Sequence, residues 1–421
     1  MCKMKDSGIE WIGQIPEDRC LIRNKYALMY VKGKIPTETN TEKRGVPYVG
    51  APDLDVLSGD SNYALYTTDI NVPTCDFDDI LVLWDGARAG LIGKNHNGVI
   101  SSTIVKITPD NSINRHFLFW YLKGFEKYLY ECVSGTTIPH MNQKYIEDIY
   151  MLDWSLDEQI QIANFLDEKC GKIDRYIARQ QQAIEKLKAY KQSVITEAVT
   201  KGLNPDASMK DSGITYVGEI PSHWSVIRFK YITDAIGDGL HGTPEYDSDG
   251  AYYFLNGNNI GNENLVFKDN TDRLSESEYK KYKPVNINEN TILITLNGAT
   301  YGKTSFYNNE RVLLGKSAGY ITLKEGENKY FVRLYLQSHI ARLVMELSLC
   351  GSTIANLSLK TLNEFVMPYP PCNEQEQIVE YLNAQCFEID SAIDKKQSLI
   401  AKLTEYKKSL IYEAVTGKLE V

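Results

Sequence analysis

EQIQIANFLDEKCGKIDRYIARQQQAIEKLKAYKQSVITEAVT, residues 158–200, returns as EQEQIVEYLNAQCFEIDSAIDKKQSLIAKLTEYKKSLIYEAVT, residues 374–416. About half of the aligned positions are identical, among them Ile162/Ile378, Cys170/Cys386, Asp174/Asp390 and Tyr190/Tyr406. Each copy holds at most one glycine and no proline, so nothing in it breaks a helix. Apolar residues recur three, four or seven apart: Ile162, Leu166, Ile173, Ile177, Ile184 and Leu187 in the first copy, and Ile378, Leu382, Ile389, Ile393, Ile400 and Leu403 in the second. Lys, Glu and Gln fill the other faces. Such a narrow stripe belongs to a helix that packs on another helix, and the two copies are each other's natural partners. At 1.5 Å per residue either copy makes a rod of about 65 Å.

Working outward, a second repeat precedes each helix. MKDSGIEWIGQIP at residues 4–16 returns as MKDSGITYVGEIP at residues 209–221. The offsets, 205 for the openings and 216 for the helices, make the chain a tandem duplication. Its period is far too long for a solenoid. Between opening and helix the composition is mixed. The runs DDILVLWDG (78–86) and NTILITLNG (290–298) read as strands, as do VISSTIVKIT (99–108) and GKSAGYITL (315–323). Amphipathic helices are expected over 115–132 and 329–347, then the polar segments GTTIPHMNQK (135–144) and GSTIANLSLK (351–360). The reading is an α+β chain: two similar mixed α/β domains separated by a pair of long helices. The self-complementarity of a duplicated stripe favours an antiparallel coiled coil with a pseudo-two-fold internal repeat. The expected boundaries are a first domain over 1–155, a helical spacer over 156–203, a second domain over 204–372 and a second spacer over 373–421.

Composition narrows the function. The 421 residues carry 46 basic and 55 acidic side chains, a net charge of -9, which excludes a polybasic, histone-like binder. Eight cysteines without a C-x-x-C pair argue for free thiols in a reducing compartment. With no apolar run of about 18 residues and no signal-peptide core, the expectation is a cytoplasmic protein without a membrane partner. GATYGKTS (298–305) has three residues where a phosphate-binding loop needs four between its first glycine and the G-K pair. The six histidines show no metal spacing, and no nucleophile–base set assembles. The expectation is therefore no catalytic residue, no metal and no cofactor in this chain.

Taken together and in order, the MKDSGI…IP openings, the GTTI/GSTI segments, the E-Q-x-Q-I helix starts and the ITEAVTKGL/IYEAVTGKLE helix ends resemble the specificity subunits of Type I restriction-modification systems. The resemblance covers nearly the whole chain. It implies two target-recognition domains, each reading one half of a split double-stranded DNA sequence. It implies helices that set the spacer and dock two methyltransferase (modification) subunits, with motor-nuclease (restriction) subunits joining outside them. S-adenosylmethionine would then be bound by the methyltransferase partners. A non-catalytic scaffold whose duplicated domains bind something other than DNA is the alternative.

The segments where the copies diverge supply candidate DNA contacts. In the first domain these are Lys32, Lys34, Thr37, Thr39, Lys43 and Arg44, with Arg88 and Lys94 after the shared strand. Lys and Arg suit phosphates, and Arg also matches guanine. In the second they are His241, Thr243, Asn256, Asn258 and Asn259, with Asn297 and Lys303; Asn pairs with adenine. His140, Asn142 and Lys144, and Asn356, Ser358 and Lys360, are further phosphate candidates.

Overall fold

The computed structural model describes residues 3–23, 27–55, 63–133, 139–282, 287–349 and 356–421. GTTI (135–138) and GSTI (351–354) lie outside the described residues. The two long helices run over Leu156–Lys201 and Cys372–Val415. The chain divides into two compact units, residues 1–181 with 397–421 and residues 182–396. Each unit therefore takes one globular portion and one segment of each long helix.

The physical reason for that division lies in the burial. In unit 1 Ile162, Leu166 and Cys170 of the first long helix share a core with Leu410, Ile411, Ala414 and Val415 of the second. In unit 2 Ile195, Ala198 and Val199 share a core with Ile378 and Leu382. Each Val, Leu or Ile among them contributes roughly 1.5–3 kcal/mol by leaving water, so the helix ends are as much part of the domain cores as of a helix pair. The helices run antiparallel inside each unit. In unit 1 Trp154, just before the first helix, donates its indole N–H to the carbonyl of Val415, while Asp174 is bound by Lys407 at 2.6 and 2.7 Å. In unit 2 Lys191 bonds Asp390 at 2.6 and 2.8 Å, with Val199 further along one helix and Ile378 further back along the other in the same core.

Both units share one topology. In unit 1 an antiparallel sheet runs in the order Leu28–Lys32, Ile104–Pro109, Ile80–Leu83, Ile92–Gly93. In unit 2 the order is Thr233–Asp238, Ala318–Leu323, Thr291–Thr295, Thr304–Phe306. A smaller sheet in each carries one parallel pair, Val46–Val49 with Gly98–Ile100 and Tyr252–Leu255 with Val312–Leu314. The central strands Ile80–Leu83 and Thr291–Thr295 are buried at every position, which explains why they read as continuous rather than alternating apolar runs.

Two expectations need correction. The run 99–108 is not one strand. Ile104 N–H bonds the carbonyl of Ser101 at 2.9 Å, and the chain turns there to pass from one sheet to the other. Nor is each helix after the sheet continuous or merely amphipathic. It is broken into Arg115–Gly124 and Glu126–Val133, and into Lys329–Gln337 and His339–Ser348. Residues 117–122 and 331–336 are buried without interruption, because the sheet covers one side and the long helices the other. Gly124 shows how close the packing is, since a Cβ there would lie 3.0 Å from Val415.

The openings seat on helix ends. Gly202, at φ +74, lies against Trp224 in unit 2, and Gly417, at φ +69, lies against Pro16 in unit 1. Tyr412 donates to the carbonyls of Trp11 and Ile12, both at 2.9 Å, and Lys418 donates to Ile12 at 2.7 Å. The junction that unit 2 makes across about twenty residues of chain, unit 1 makes between opposite ends of the sequence.

Candidate nucleic-acid interface

Three chain segments meet at the end of the central strand in each unit. In unit 1, Asp85 follows Ile80–Leu83 and forms an isolated antiparallel bridge with His140, while Met141 N–H bonds the carbonyl of Trp84 at 2.8 Å. In unit 2, Asn297 follows Thr291–Thr295 and bridges Asn356, while Leu357 N–H bonds the carbonyl of Leu296 at 2.9 Å. The third segment is the end of the edge strand. Lys32 pairs Val105, and at the same point of the unit 2 sheet Asp238 pairs Gly319. The positions Lys32, Asp85 and His140 thus match Asp238, Asn297 and Asn356.

The side chains at these three positions differ. In unit 1 the carboxylate of Asp85 is held from two sides, by Lys32 at 3.1 Å and by the Nδ1 of His140. Lys32 and His140 remain about half exposed, so both keep donors free for an incoming acceptor. In unit 2 the carboxylate is on the edge strand, where Asp238 binds His241 Nε2 at 2.7 Å. The other two positions are amides. The Oδ1 of Asn297 is buried without a hydrogen-bond partner among the described residues. One unit presents a cation and an imidazole bound to an acid; the other presents amides and an imidazole bound to an acid.

The remaining candidates separate by structure. Lys34, Thr39, Lys43, Arg44, Thr243 and Asn258 are exposed in the divergent loops, and Lys144, Asn356 and Lys360 are exposed beside the bridges. Arg44 pairs with Glu42, and Thr37 donates to Asp69 at 3.0 Å. Arg88 is exposed and donates to the carbonyl of Ala51 at 3.1 Å. Others serve the fold. Asn142 and Ser358 cap short helices, accepting from Lys144 and Thr361 N–H groups. Asn256 and Asn259 form a reciprocal capping box, with Asn259 buried and donating to Val266 at 3.1 Å. Lys94 is drawn inward, with its amine 3.4 Å from Asp167 and 4.2 Å from the ring centre of Phe119. Lys303 lines a cavity against the long helices. The Lys94 side chain thus turns away from the strand-end rim, whereas Lys303 stands at the end of the central strand, its carbonyl accepting from Thr295 N–H at 2.8 Å, and lines the cavity.

Sequence reading missed Asp85 and Asp238, the acids that organise both rims, because it sought cations and amides. The signal was present: Asp85 and Asn297 each stand two residues after the central strand that both copies share. Among the described residues no group of three His, Cys, Asp or Glu could hold a metal, and burial pushes the Cys170 thiol up to about 12, far from a nucleophile's range. No described helix is long and apolar enough to cross a membrane.

These features define a protein built of two copies of one mixed sheet-and-helix unit. The family described as Type I restriction modification DNA specificity domain matches the chain twice, over residues 28–189 and 221–403, and the chain belongs to that family. Its role is that of a specificity subunit of a Type I restriction-modification system. The specificity subunit of the MjaVIII Type I restriction enzyme of Methanocaldococcus jannaschii is 28% identical over 417 residues, 97% of this chain and 94% of that one. The EcoBI specificity subunit of Escherichia coli is 25% identical over 397 residues, 91% of this chain and 82% of that one. A solved chain from a study of complex assembly and conformational transition in the type I R-M system superposes with a TM-score of 0.68 at 16% identity. It covers 96% of this chain and 99% of its own, a likeness of fold.

Proposed function

We propose that each unit reads one half of a bipartite duplex DNA target through its strand-end rim, and that the two halves differ in sequence. The observation that carries this reading is the exchange of Lys32, Asp85 and His140 for Asp238, Asn297 and Asn356 on one unchanged sheet frame. Buried positions keep the frame, and the exposed ends carry different donors and acceptors, as two base sequences require. The exposed loop residues Lys34, Lys43, Arg44 and Arg88 in unit 1, and Thr243 and Asn258 in unit 2, supply further polar contacts. Lys144 and Lys360 reach phosphates.

The chain acts without chemistry of its own. Two modification subunits that bind S-adenosylmethionine dock on the helices, restriction subunits join them, and the assembly works in the cytoplasm. The domains are residues 1–155 and 204–372, with 156–203 and 373–421 as spacers. What supports a spacer role is that each helix continues without interruption from one unit into the other.

The test is methylation-site sequencing of the assembled modification complex. Matched seven-residue insertions after Gln181 and Lys396 keep the apolar stripe in register and add about 10 Å of helix. At about 3.4 Å per base pair the preferred spacer should lengthen by about three base pairs while both half-sites keep their sequence. An unaltered spacer with full activity would overturn the ruler. Exchanging the rim residues of unit 1 should alter one half-site only, and a change in both would overturn the assignment of units to halves.

A further inference from the structure

Unit 2 contains a cavity of about 1020 Å³ between its sheet and its segments of the long helices, lined by Thr304, Arg333 and Asn383 among others. Arg333 is 6% exposed. Its guanidinium has five donors, yet the partners it finds are distant: the carbonyl of Thr304 at 3.4 Å and Glu263 at 3.9 Å. Thr304, only 1% exposed, has a hydroxyl with no partner among the described residues. A buried cation and a buried hydroxyl, both under-satisfied and both on one cavity, are costly unless something fills it.

Unit 1 shows what fills the matching place there. Phe119 stands five residues after the helix cap Asn114, as Arg333 stands five after the cap Asn328. Lys94 and Phe306 each directly follow the residue that pairs the central strand, Gly93 with Leu81 and Ser305 with Leu293. The same cation–ring contact is therefore built with the partners exchanged: Lys94 lies 4.2 Å from the Phe119 ring centre, and Arg333 lies 4.8 Å from that of Phe306. In unit 1 the long helix completes the site with a carboxylate, Asp167, which bonds Lys94 at 3.4 Å and the Trp120 indole at 2.9 Å. The helix repeat places Asn383 where Asp167 stands, and an amide carries no charge to answer Arg333.

The geometry points to a binding site for a carboxylate-bearing small molecule in unit 2, with the ligand's carboxylate on Arg333 in the role that Asp167 plays toward Lys94. Arg suits this because its fork takes both carboxylate oxygens at once. The ligand ties the sheet to the long helices, as Asp167 does in unit 1. The site is independent of what the rim reads.

The full chain supplies the test, with sodium malonate and sodium phosphate compared against sodium chloride at matched ionic strength. Malonate should raise the unfolding midpoint by about 2–4 °C and increase hydrogen-exchange protection around residues 304 and 333. Asn383→Asp restores an internal carboxylate. It should raise the midpoint without any added anion and abolish the malonate response, and it keeps the proposal testable where Arg333→Gln fails to fold. A wild-type chain that responds equally to malonate and chloride overturns the site. So does an Asn383→Asp variant that responds as the wild type does. A response to phosphate alone overturns the carboxylate assignment.

Discussion

Unit 1 and unit 2 agree at most of their buried positions and part company at the exposed strand ends. Tyr121 and Tyr335 are both buried, and each donates to the carbonyl of a facing strand, at Tyr150 and Val366. Leu166 and Leu382 are both fully buried in their cores. At the strand ends, by contrast, a lysine–aspartate–histidine cluster stands against an aspartate and two asparagines. Even inside, a cation and an aromatic ring have traded places, because the pair fills the same space whichever element supplies the charge. Duplication thus holds the frame through packing, which tolerates little change in volume, and leaves exposed polar ends free to diverge.

The largest expected effect tests the shared frame. Leu166→Ala and Leu382→Ala should each cost about 2–5 kcal/mol of stability, the usual range for emptying a leucine site. Hydrogen exchange should show the loss concentrated in the unit that carries the substitution. Equal loss of protection in both units would show that the chain has one cooperative core.

The rim comes next. Asp85→Ala frees Lys32 and His140, and Asn297→Ala removes the unpartnered amide. Each should change preference at its own half-site by about 10- to 100-fold, the value of one good base contact, when methylation sites are sequenced. If either variant relaxes the other unit's half-site, the correspondence between rims and half-sites is broken.

A smaller effect distinguishes the openings. In unit 1 a bond from Arg19 holds the Glu158 carboxyl down to about 2, below its ordinary 4.5, aided by bonds from Ser155. A depressed carboxyl contributes stability that is complete above about 4.5 and disappears as pH falls towards 2. Glu158→Gln should therefore cost about 1 kcal/mol at neutral pH, discounted for the pair's partial exposure, and almost nothing near pH 2. In unit 2 the corresponding Glu374 accepts instead from Trp224 at 2.8 Å and binds His223 at 2.6 Å. Denaturation of Glu158→Gln and Glu374→Gln across pH compares the two seats directly. A pH-independent Glu158→Gln effect would contradict the ion-pair account.

The smallest effect concerns single exposed lysines. Lys144→Ala or Lys360→Ala should leave both half-sites unchanged and reduce the salt dependence of DNA binding by about one counterion each. A changed half-site would move that lysine from phosphate to base contact.

The sequence by itself determined the duplication, the two long helices and their apolar stripe, and the central strand of each sheet. These are short-range patterns, in which each residue's burial is announced by neighbours two, three or four positions away. What it could not determine is which distant residues meet. Asp85 and His140 are 55 residues apart, and Lys94 and Asp167 are 73 apart. Only the tertiary structure decided that Lys94 turns inward to a helix carboxylate and that Asn142, Ser358, Asn256 and Asn259 serve as caps. It alone joined the chain's last residues to its first hairpin. The division into units was likewise invisible in the stripe, because a helix shows the same period whether its apolar face meets another helix or a domain core. Composition marks a side chain as able to bind DNA, but whether it is free to do so depends on what the fold has already placed beside it.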